Sequence, residues 1–327
     1  MNVLNMNVRG VFRATVMLAL LASSSAWAQA WPSRPVRLVV PYAAGGSTDI
    51  VGRLLASHLS DSIKVAVIVE NRAGAGGLIG SDAVAKSAPD GHTLLLATNG
   101  AIVGAQYINP RMPFDPNRDL VPVALVAEVP LAVMVNGRNP ATDLKQLVEQ
   151  ARARPGAIAY ATVGPATTGH IGGEWLKKSA GIDMIHVPYK GSAPATSDLV
   201  AGTVPVAVDS LLTYLPHIRT GALRALAVLT ESRYRGLPAV PTAREQGFDL
   251  QISLWFGLMA PAGTPVEVLS RLNRETDAWL KRPETERQLE PFAAQPLGGS
   301  RDDAVRYLQK ENASWKRMIE ASGIKAE

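Results

Sequence analysis

Residues 39–50 read VVPYAAGGSTDI: an apolar stretch that passes through small residues into a polar run at the start of a predicted helix. Gly45 and Gly46 suit a tight turn between a strand and a helix. Backbone N–H groups and the positive end of the helix dipole converge at such a turn, and together they can bind an anion. The segment therefore predicts a strand–loop–helix unit with an anion site, although a glycine pair is also what a purely structural turn requires.

Similar loops recur along the chain, at residues 70–77 (ENRAGAGG), 160–170 (YATVGPATTGH) and 187–195 (VPYKGSAPA). In the second of these, Thr168 could help bind an anion or only cap a helix. Asp209, at the end of the apolar run 204–208, could orient a ligand or only cap the helix that follows. Nucleotide binding is not expected, because Gly74-x-Gly76 lacks the last small residue of the dinucleotide fingerprint and no Gly-Lys-Ser/Thr occurs.

Short runs rich in Val, Leu and Ile alternate with helical patterns, and this alternation predicts an α/β fold with largely parallel sheets. Residues 50–59 and 144–151 carry apolar positions three or four apart, as amphipathic helices do. Asp143 is a candidate helix start, and Gly181 and Gly221 follow predicted helix ends. The predicted strands are residues 36–40, 65–69, 93–97, 131–135, 204–208 and 223–228.

Length and composition indicate two domains and exclude several classes of site. The 327 residues exceed what one hydrophobic core usually supports, and 47% of them are hydrophobic. The chain has no cysteine, which excludes disulfides, thiolate metal sites and a lipid-modified cysteine. Its net charge of +5 includes no long Lys/Arg run, so nucleic acid is not an expected partner.

The first 30 residues have the pattern of a cleaved signal peptide. Arg9 and Arg13 precede the apolar run 14–22, which is too short to span a membrane. Alanines at positions 26, 28 and 30 suit cleavage after residue 28 or 30. The sequence therefore predicts export to the periplasm.

No pattern of catalytic or metal-binding residues stands out. The five histidines lack metal-ligand spacing, and the chain has no Gly-x-Ser-x-Gly nucleophile motif. His170 is the histidine nearest a predicted anion loop, where it could pack beneath a helix start or act as the base of a hydrolase. We expect no cofactor, no metal and no enzymatic activity.

Several short motifs follow one another in a characteristic order. They are WPSRP (31–35), VPY (40–42) with GG (45–46) and TD (48–49), ENR (70–72) with GAGG (74–77), PDG (89–91), PFDP (113–116), HVPYKG (186–191), LPHI (215–218), LP (237–238) with VPT (240–242), and WFGL (255–258) with APAGTP (260–265). In this order they resemble the extracytoplasmic receptors of tripartite tricarboxylate transporters, the Bug or TctC family. The resemblance covers essentially the whole chain after residue 30, and it departs from the family pattern at Ala43, Ser47, Leu78 and Gly169.

The resemblance implies a type II periplasmic-binding-protein fold, in which two α/β lobes close over a ligand. It implies lobe 1 at residues 31–128 and 252–327 and lobe 2 at residues 129–251, after a signal peptide at residues 1–30. The ligand-binding residues that it implies are Tyr42, Ala44, Gly45, Gly46, Ser47, Thr48, Asp49, Gly76, Gly77 and Thr98 in lobe 1, and Thr167, Thr168, Tyr189, Lys190 and Asp209 in lobe 2.

The function implied is that of a monomeric periplasmic receptor, which captures a small mono- or dicarboxylate and passes it to the membrane subunits of a tripartite transporter. Two alternatives remain, because a fold alone does not fix a function. The chain could present its ligand to a membrane sensor kinase, or it could be a periplasmic hydrolase that uses His170.

Overall fold

The computed structural model describes residues 31–322, with side chains to residue 320, so the predicted signal peptide lies outside the described residues. A mixed sheet of ten strands runs through this part of the chain. The strands are β1 (Val36–Val40), β2 (Val67–Asn71), β3 (Thr93–Thr98), β4 (Leu120–Asn136), β5 (Ala159–Thr162), β6 (Ile185–Pro188), β7 (Val206–Ser210), β8 (Leu223–Val228), β9 (Ser253–Pro261) and β10 (Gln295–Pro296).

Helices cover the sheet and connect its strands. None of the helices described is long and apolar enough to cross a membrane. They are α1 (Ser47–Ile63), α2 (Leu78–Ala85), α3 (Ala105–Ile108), α4 (Leu144–Ala153), α5 (Thr168–Ala180), α6 (Ser192–Ala201), α7 (Leu211–Arg219), α8 (Val266–Leu280), α9 (Pro283–Leu289) and α10 (Arg301–Ser322), with a π-helical turn at Gly100–Gly104 before α3.

The sheet is parallel in its outer parts and antiparallel at its centre. β1 pairs in parallel with β2 and β3, and β5 pairs in parallel with β6 and β7. Every described pair that includes β4 or β9 is antiparallel. The expectation of largely parallel sheets is therefore wrong for the centre. A strand buried on both faces is apolar whichever way it runs, so its composition does not report its direction.

The long strand β4 joins two halves of the sheet. Its first part pairs with β9 as far as Pro130, opposite Ser253, and from Leu131 it pairs with β7 and β8. The chain returns at Ile252, whose N–H donates to the carbonyl of Leu229, and β9 begins at the next residue. We call the half of the sheet that contains β1, β2 and β3 the first lobe, and the half that contains β5, β6, β7 and β8 the second lobe.

Each lobe has a buried apolar layer that packs helices against the sheet. In the first lobe, Leu94, Leu95 and Leu96 of β3 are fully buried, as are Leu55 and Leu59 of α1. The second lobe packs a cluster around Tyr214, Leu211 and Leu199 of its helices. Because the strands end beneath these helices, the loops at the strand ends are held in place, and they form the site described next.

The sequence correctly predicted the start of α4 and the end of α5. The carboxylate of Asp143 accepts a hydrogen bond from the N–H of Gln146 at 2.8 Å and caps α4. Gly181, which follows α5, has a φ of +61°, as a left-handed helix end requires.

Candidate functional site

The turn between β1 and α1 is held by Asp49. Its carboxylate accepts hydrogen bonds from the N–H of Gly45 (2.8 Å), from Arg53 Nε (2.8 Å) and from Asn71 Nδ2 (2.9 Å). Burial opposes ionisation of this carboxyl, but the hydrogen bonds from Arg53, Gly45 and Asn71 outweigh it and lower the pKa of Asp49. The side chain of Asp49 therefore fixes the loop that precedes α1.

Tyr42 connects the three loops of the first lobe. Its hydroxyl donates to the carbonyl of Gly76 at 3.0 Å and lies 2.9 Å from Thr98 Oγ1. Burial raises the pKa of Tyr42 to about 12, so the phenol stays neutral and can donate. The β1 loop, the loop before α2 and the end of β3 are thus held in one arrangement.

Thr167 and Thr168 form the start of α5 in the second lobe. Thr167 occupies the N-cap position of the helix, but its hydroxyl makes no cap hydrogen bond and donates instead to the carbonyl of Gly164 at 2.7 Å. Thr168 is the first helical residue, so the interpretation of Thr168 as the helix cap is wrong by one position. Its hydroxyl donates instead to Asn99 Oδ1 of the first lobe at 2.7 Å.

Asp209 is a buried acid at the end of β7. Its Oδ1 accepts from the N–H of Ser210 at 2.7 Å and its Oδ2 from the hydroxyl of Tyr214 at 3.2 Å. Burial raises the pKa of Asp209 to about 6, although hydrogen bonds from Ser192, Ser210 and Tyr214 act in the opposite direction. This carboxyl can therefore change its charge near neutral pH.

The loops of the two lobes contact each other directly. Ser47 Oγ lies 2.7 Å from Ser210 Oγ and donates to Ser192 Oγ at 3.3 Å. The N–H of Ala43 donates to the carbonyl of Lys190 at 2.9 Å. These bonds join the first turn of α1 to the ends of β6 and β7, so the two lobes are closed on each other.

A small cavity lies between these loops, with space of about 20 Å³ for molecules of water size. A ligand larger than a water molecule could enter this cavity only if the lobes separated. The cavity is lined by Tyr42, Ser47, Thr48, Thr98, Leu131, Val163, Thr167, Thr168, Gly169, Ser192, Asp209 and Leu254.

Seven residues of the predicted site line this cavity: Tyr42, Ser47, Thr48, Thr98, Thr167, Thr168 and Asp209. The glycines at 45, 46, 76 and 77 belong to the surrounding loops. Ala44 is exposed, and Asp49 holds its own turn.

Two further predicted residues belong to the β6 loop. Tyr189 donates its hydroxyl to Asp198 at 2.7 Å, whereas the side chain of Lys190 is exposed. A ligand contact by any of the fifteen predicted residues stays a prediction.

Five lining residues were missing from the predicted set: Leu131, Val163, Gly169, Ser192 and Leu254. Ser192 begins α6 after Gly191, so it had the same helix-start signal as Thr168. Leu131 and Leu254 lie in strands at the crossing between the lobes, and an apolar residue within a strand carries no sequence signal for a pocket.

A second, larger cleft of about 400 Å³ is lined by residues that include Pro130, Ser253 and Trp315. Its lining has three carboxylates, Glu128, Glu231 and Glu311, and one arginine, Arg233, which pairs with Glu245, so this cleft would repel a carboxylate ligand. Within residues 31–322, no group of three or more histidine or acidic side chains is placed to hold a metal ion. The cavity between the helix starts is therefore the better candidate for an anion site.

Comparison with known proteins agrees with this geometry. Residues 51–324 match the model of the tripartite tricarboxylate transporter family receptor, TctC. The chain belongs to this family. Among curated TctC relatives, protein BugT of Bordetella pertussis is 39% identical over 324 residues, covering 97% of each chain.

Two solved structures of similar proteins carry small dicarboxylates. Rhodopseudomonas palustris Rpa4515 with adipate is 36% identical, with a TM-score of 0.87 over 91% of this chain and all of that one. MatC from the same organism, with bound malate, is 30% identical, with a TM-score of 0.85 over 88% of this chain and all of that one. The predicted TctC membership and the two-lobed periplasmic-binding-protein fold are both confirmed.

Proposed function

We propose that this chain is a periplasmic receptor that captures a small mono- or dicarboxylate and passes it to the membrane subunits of a tripartite transporter. One observation carries the proposal: the starts of α1 and α5, from opposite lobes, meet at one cavity lined with hydroxyl groups. Helix starts offer free N–H groups and a positive dipole end to an anion.

The adipate and malate that accompany the two similar structures support a dicarboxylate as the ligand. We assign lobe 1 to residues 31–128 and 252–327 and lobe 2 to residues 129–251, because β4 changes its partner between Pro130 and Leu131. In the same proposal, residues 1–30 are a cleaved leader and the receptor acts as a monomer without turning its ligand over.

The test is a thermal-shift screen followed by calorimetric titration, with adipate and malate as ligands and adipamide and ATP as controls. A ligand present at 100 times its Kd should add about 2.7 kcal/mol to the free energy of unfolding. We expect stabilisation by at least one of the two acids and none by the neutral amide or the nucleotide. Equal stabilisation by adipate and adipamide would argue against the anion site.

A charge variant localises the binding. Thr168→Asp places a second carboxylate at the start of α5, and two like charges about 4 Å apart repel by about 4 kcal/mol at an effective dielectric of 20. Affinity should fall at least tenfold after relaxation and screening. Thr203→Asp, at an exposed position outside the cavity, is the matched control and should bind as the wild type does.

A further inference from the structure

His170 contacts the backbone of the loop that forms the second-lobe side of the cavity. The N–H of Ala166 donates to His170 Nδ1 at 3.1 Å. A backbone N–H can only donate, so Nδ1 must be unprotonated and the neutral ring carries its proton on Nε2. The side chain is only 2% exposed, so water does not compete for this hydrogen bond.

The residue that His170 holds has an unusual backbone conformation. Ala166 has a φ of +57°, in the left-handed region that residues with a Cβ rarely adopt. Thr167, the cap of α5, comes next, followed by Thr168, whose hydroxyl reaches the first lobe. His170 is the third residue of α5, and a side chain at this position of a helix can reach back to the N–H groups before the helix.

The same loop is the surface on which the first lobe closes. A Cβ on Gly76 would lie 2.1 Å from the carbonyl oxygen of Pro165, and a Cβ on Gly100 would lie 2.8 Å from Thr167 Cα. The backbones of the two lobes are therefore in direct contact at residues 165–167. A change at Ala166 would move both the ligand-facing threonines and this contact.

A second histidine supports the first. The rings of His170 and His186 are stacked, with centroids 4.1 Å apart. His186 Nε2 lies 2.7 Å from Thr162 Oγ1, which in turn accepts a hydrogen bond from the N–H of Gly164 at 3.1 Å. One imidazole thus holds the loop at Ala166, and the other holds it through Thr162 at Gly164.

We propose that His170 is a positioning residue of the binding site, which fixes the left-handed turn at Ala166 and so sets Thr167 and Thr168 for the ligand. For its ligand this inference rests on the proposed function, but the turn itself exists without one. The role differs from that of a hydrolytic base, because Nδ1 accepts from the backbone and Nε2 carries the proton, so neither nitrogen of the neutral ring can accept a proton.

Two substitutions distinguish the effect of losing the hydrogen-bond acceptor from the effect of losing the ring. His170→Phe keeps a ring that can stack on His186 but places a carbon where Nδ1 was. His170→Asn gives up the ring but can place its Oδ1 near the position of Nδ1, since both atoms are bonded to Cγ. If the acceptor matters, the asparagine variant should resemble the wild type and the phenylalanine variant should not.

The first measurement is hydrogen exchange at the amide of Ala166 in the unliganded protein. We expect protection in the wild type and in His170→Asn, and exchange at least tenfold faster in His170→Phe. The second is titration with adipate and malate, where His170→Phe should bind about tenfold more weakly, the loss expected for one buried hydrogen bond. Adding Ala166→Gly to His170→Phe should recover part of the affinity, because glycine adopts a positive φ without a steric penalty.

The outcomes distinguish this inference from the proposed function. If neither acid binds the wild type, the proposed function fails, while exchange at Ala166 still tests the role of His170. Unchanged exchange at Ala166 in folded His170→Phe would overturn the inference. So would a His170→Asn variant that is as weakened as His170→Phe, because the ring and not the acceptor would then matter.

Discussion

Two buried groups in the cavity respond differently to pH. Burial raises the pKa of Tyr42 to about 12, so its phenol remains neutral throughout the physiological range. Burial raises the pKa of Asp209 only to about 6, so this carboxyl changes charge close to neutrality. An ionised Asp209 would repel a bound carboxylate, and therefore Asp209 is the residue that should connect pH to the behaviour of the site.

Asp209→Asn should remove a pH-dependent part of the folding stability. The carboxyl has a higher pKa in the folded protein than the 3.8 of an ordinary aspartate, so the folded state holds the proton more tightly. Its contribution is fully present below about pH 4 and is lost as the pH rises through about 6, a change on the order of 3 kcal/mol. Urea unfolding of wild type and variant from about pH 4 to about pH 7 measures this. A constant difference between them would contradict the raised pKa.

Thr168→Val should weaken ligand binding without unfolding the protein. Valine has nearly the shape of threonine but cannot donate to Asn99 Oδ1, the contact between the lobes at the start of α5. We expect about tenfold weaker binding of adipate or malate, in line with one lost hydrogen bond. Thr168→Ser retains the hydroxyl and is the control in the same titration. Equal weakening by both variants would contradict the role of the hydroxyl contact with Asn99, because serine keeps that hydroxyl.

The sequence identifies site residues that adjoin a strand end or a helix start, and it misses those supplied by closure of the lobes. Ser47, Thr168 and Asp209 are recognisable because turn chemistry is local. Leu131 and Leu254 reach the cavity only because β4 and β9 cross between the lobes side by side. Asn99, which accepts the hydrogen bond from Thr168, lies 69 positions away from it in the chain. No local pattern indicates such a partner.

At the scale of elements, the predicted helix ends and most strands match the structure because they depend on neighbouring residues. β1 and β8 have the predicted bounds, whereas β4 extends well beyond the predicted 131–135. The antiparallel pairing of β4 with β9 was not predictable, since it joins segments more than a hundred residues apart. The pairing of the two strands that cross between the lobes could therefore be established only from the structure.

A glycine in the loop before α2 allows the contact between the two lobes to be tested. Gly76→Ala adds a Cβ that would lie 2.1 Å from the carbonyl oxygen of Pro165, at a φ of +63°. Gly181→Ala has nearly the same φ, +61°, but its Cβ would have no neighbour within 4 Å. Both variants should lose about 1 kcal/mol of stability from the positive φ, which glycine alone tolerates freely.

Only Gly76→Ala should also affect closure. We expect its affinity for the dicarboxylate to fall more than tenfold and its radius of gyration in solution scattering to exceed that of Gly181→Ala. Both alanine variants are measured by calorimetric titration and by solution scattering. If the two alanine variants bind equally well, contact between Gly76 and Pro165 is not needed for binding.

At the scale of the whole molecule, α10 contacts both lobes. It packs against β4, against the turn 100–104 of the first lobe and against α5 of the second. Trp315 of α10 is 3% exposed, and its ring occupies the space where a side chain at Gly104 would lie, close to Ile171 of α5. This helix therefore contacts both lobes beside the strands that cross between them.

Trp315→Ala should destabilise both lobes together. Truncation of a buried tryptophan costs about 3 to 5 kcal/mol. Lys316→Ala, at the neighbouring exposed position, should change stability by less than about 0.5 kcal/mol. Urea unfolding followed by circular dichroism and by tryptophan fluorescence should give one coincident transition for the wild type. A loss confined to one phase of a two-phase curve would show that α10 stabilises one lobe alone.

The fluorescence of Trp255 should report the opening and closing of the lobes. The indole is 1% exposed, donates to Glu311 Oε2 at 2.8 Å and lies two residues after Ser253, where the chain enters β9 from the other lobe. Trp315 donates to the same oxygen at 3.1 Å. Trp255 and Glu311 both belong to the first lobe, but Leu254, the residue before Trp255, lines the cavity between the lobes, so opening should change the surroundings of the indole. Stopped-flow emission should therefore time opening and closing without a dye, and Trp255→Phe should reduce the signal while leaving calorimetric binding detectable.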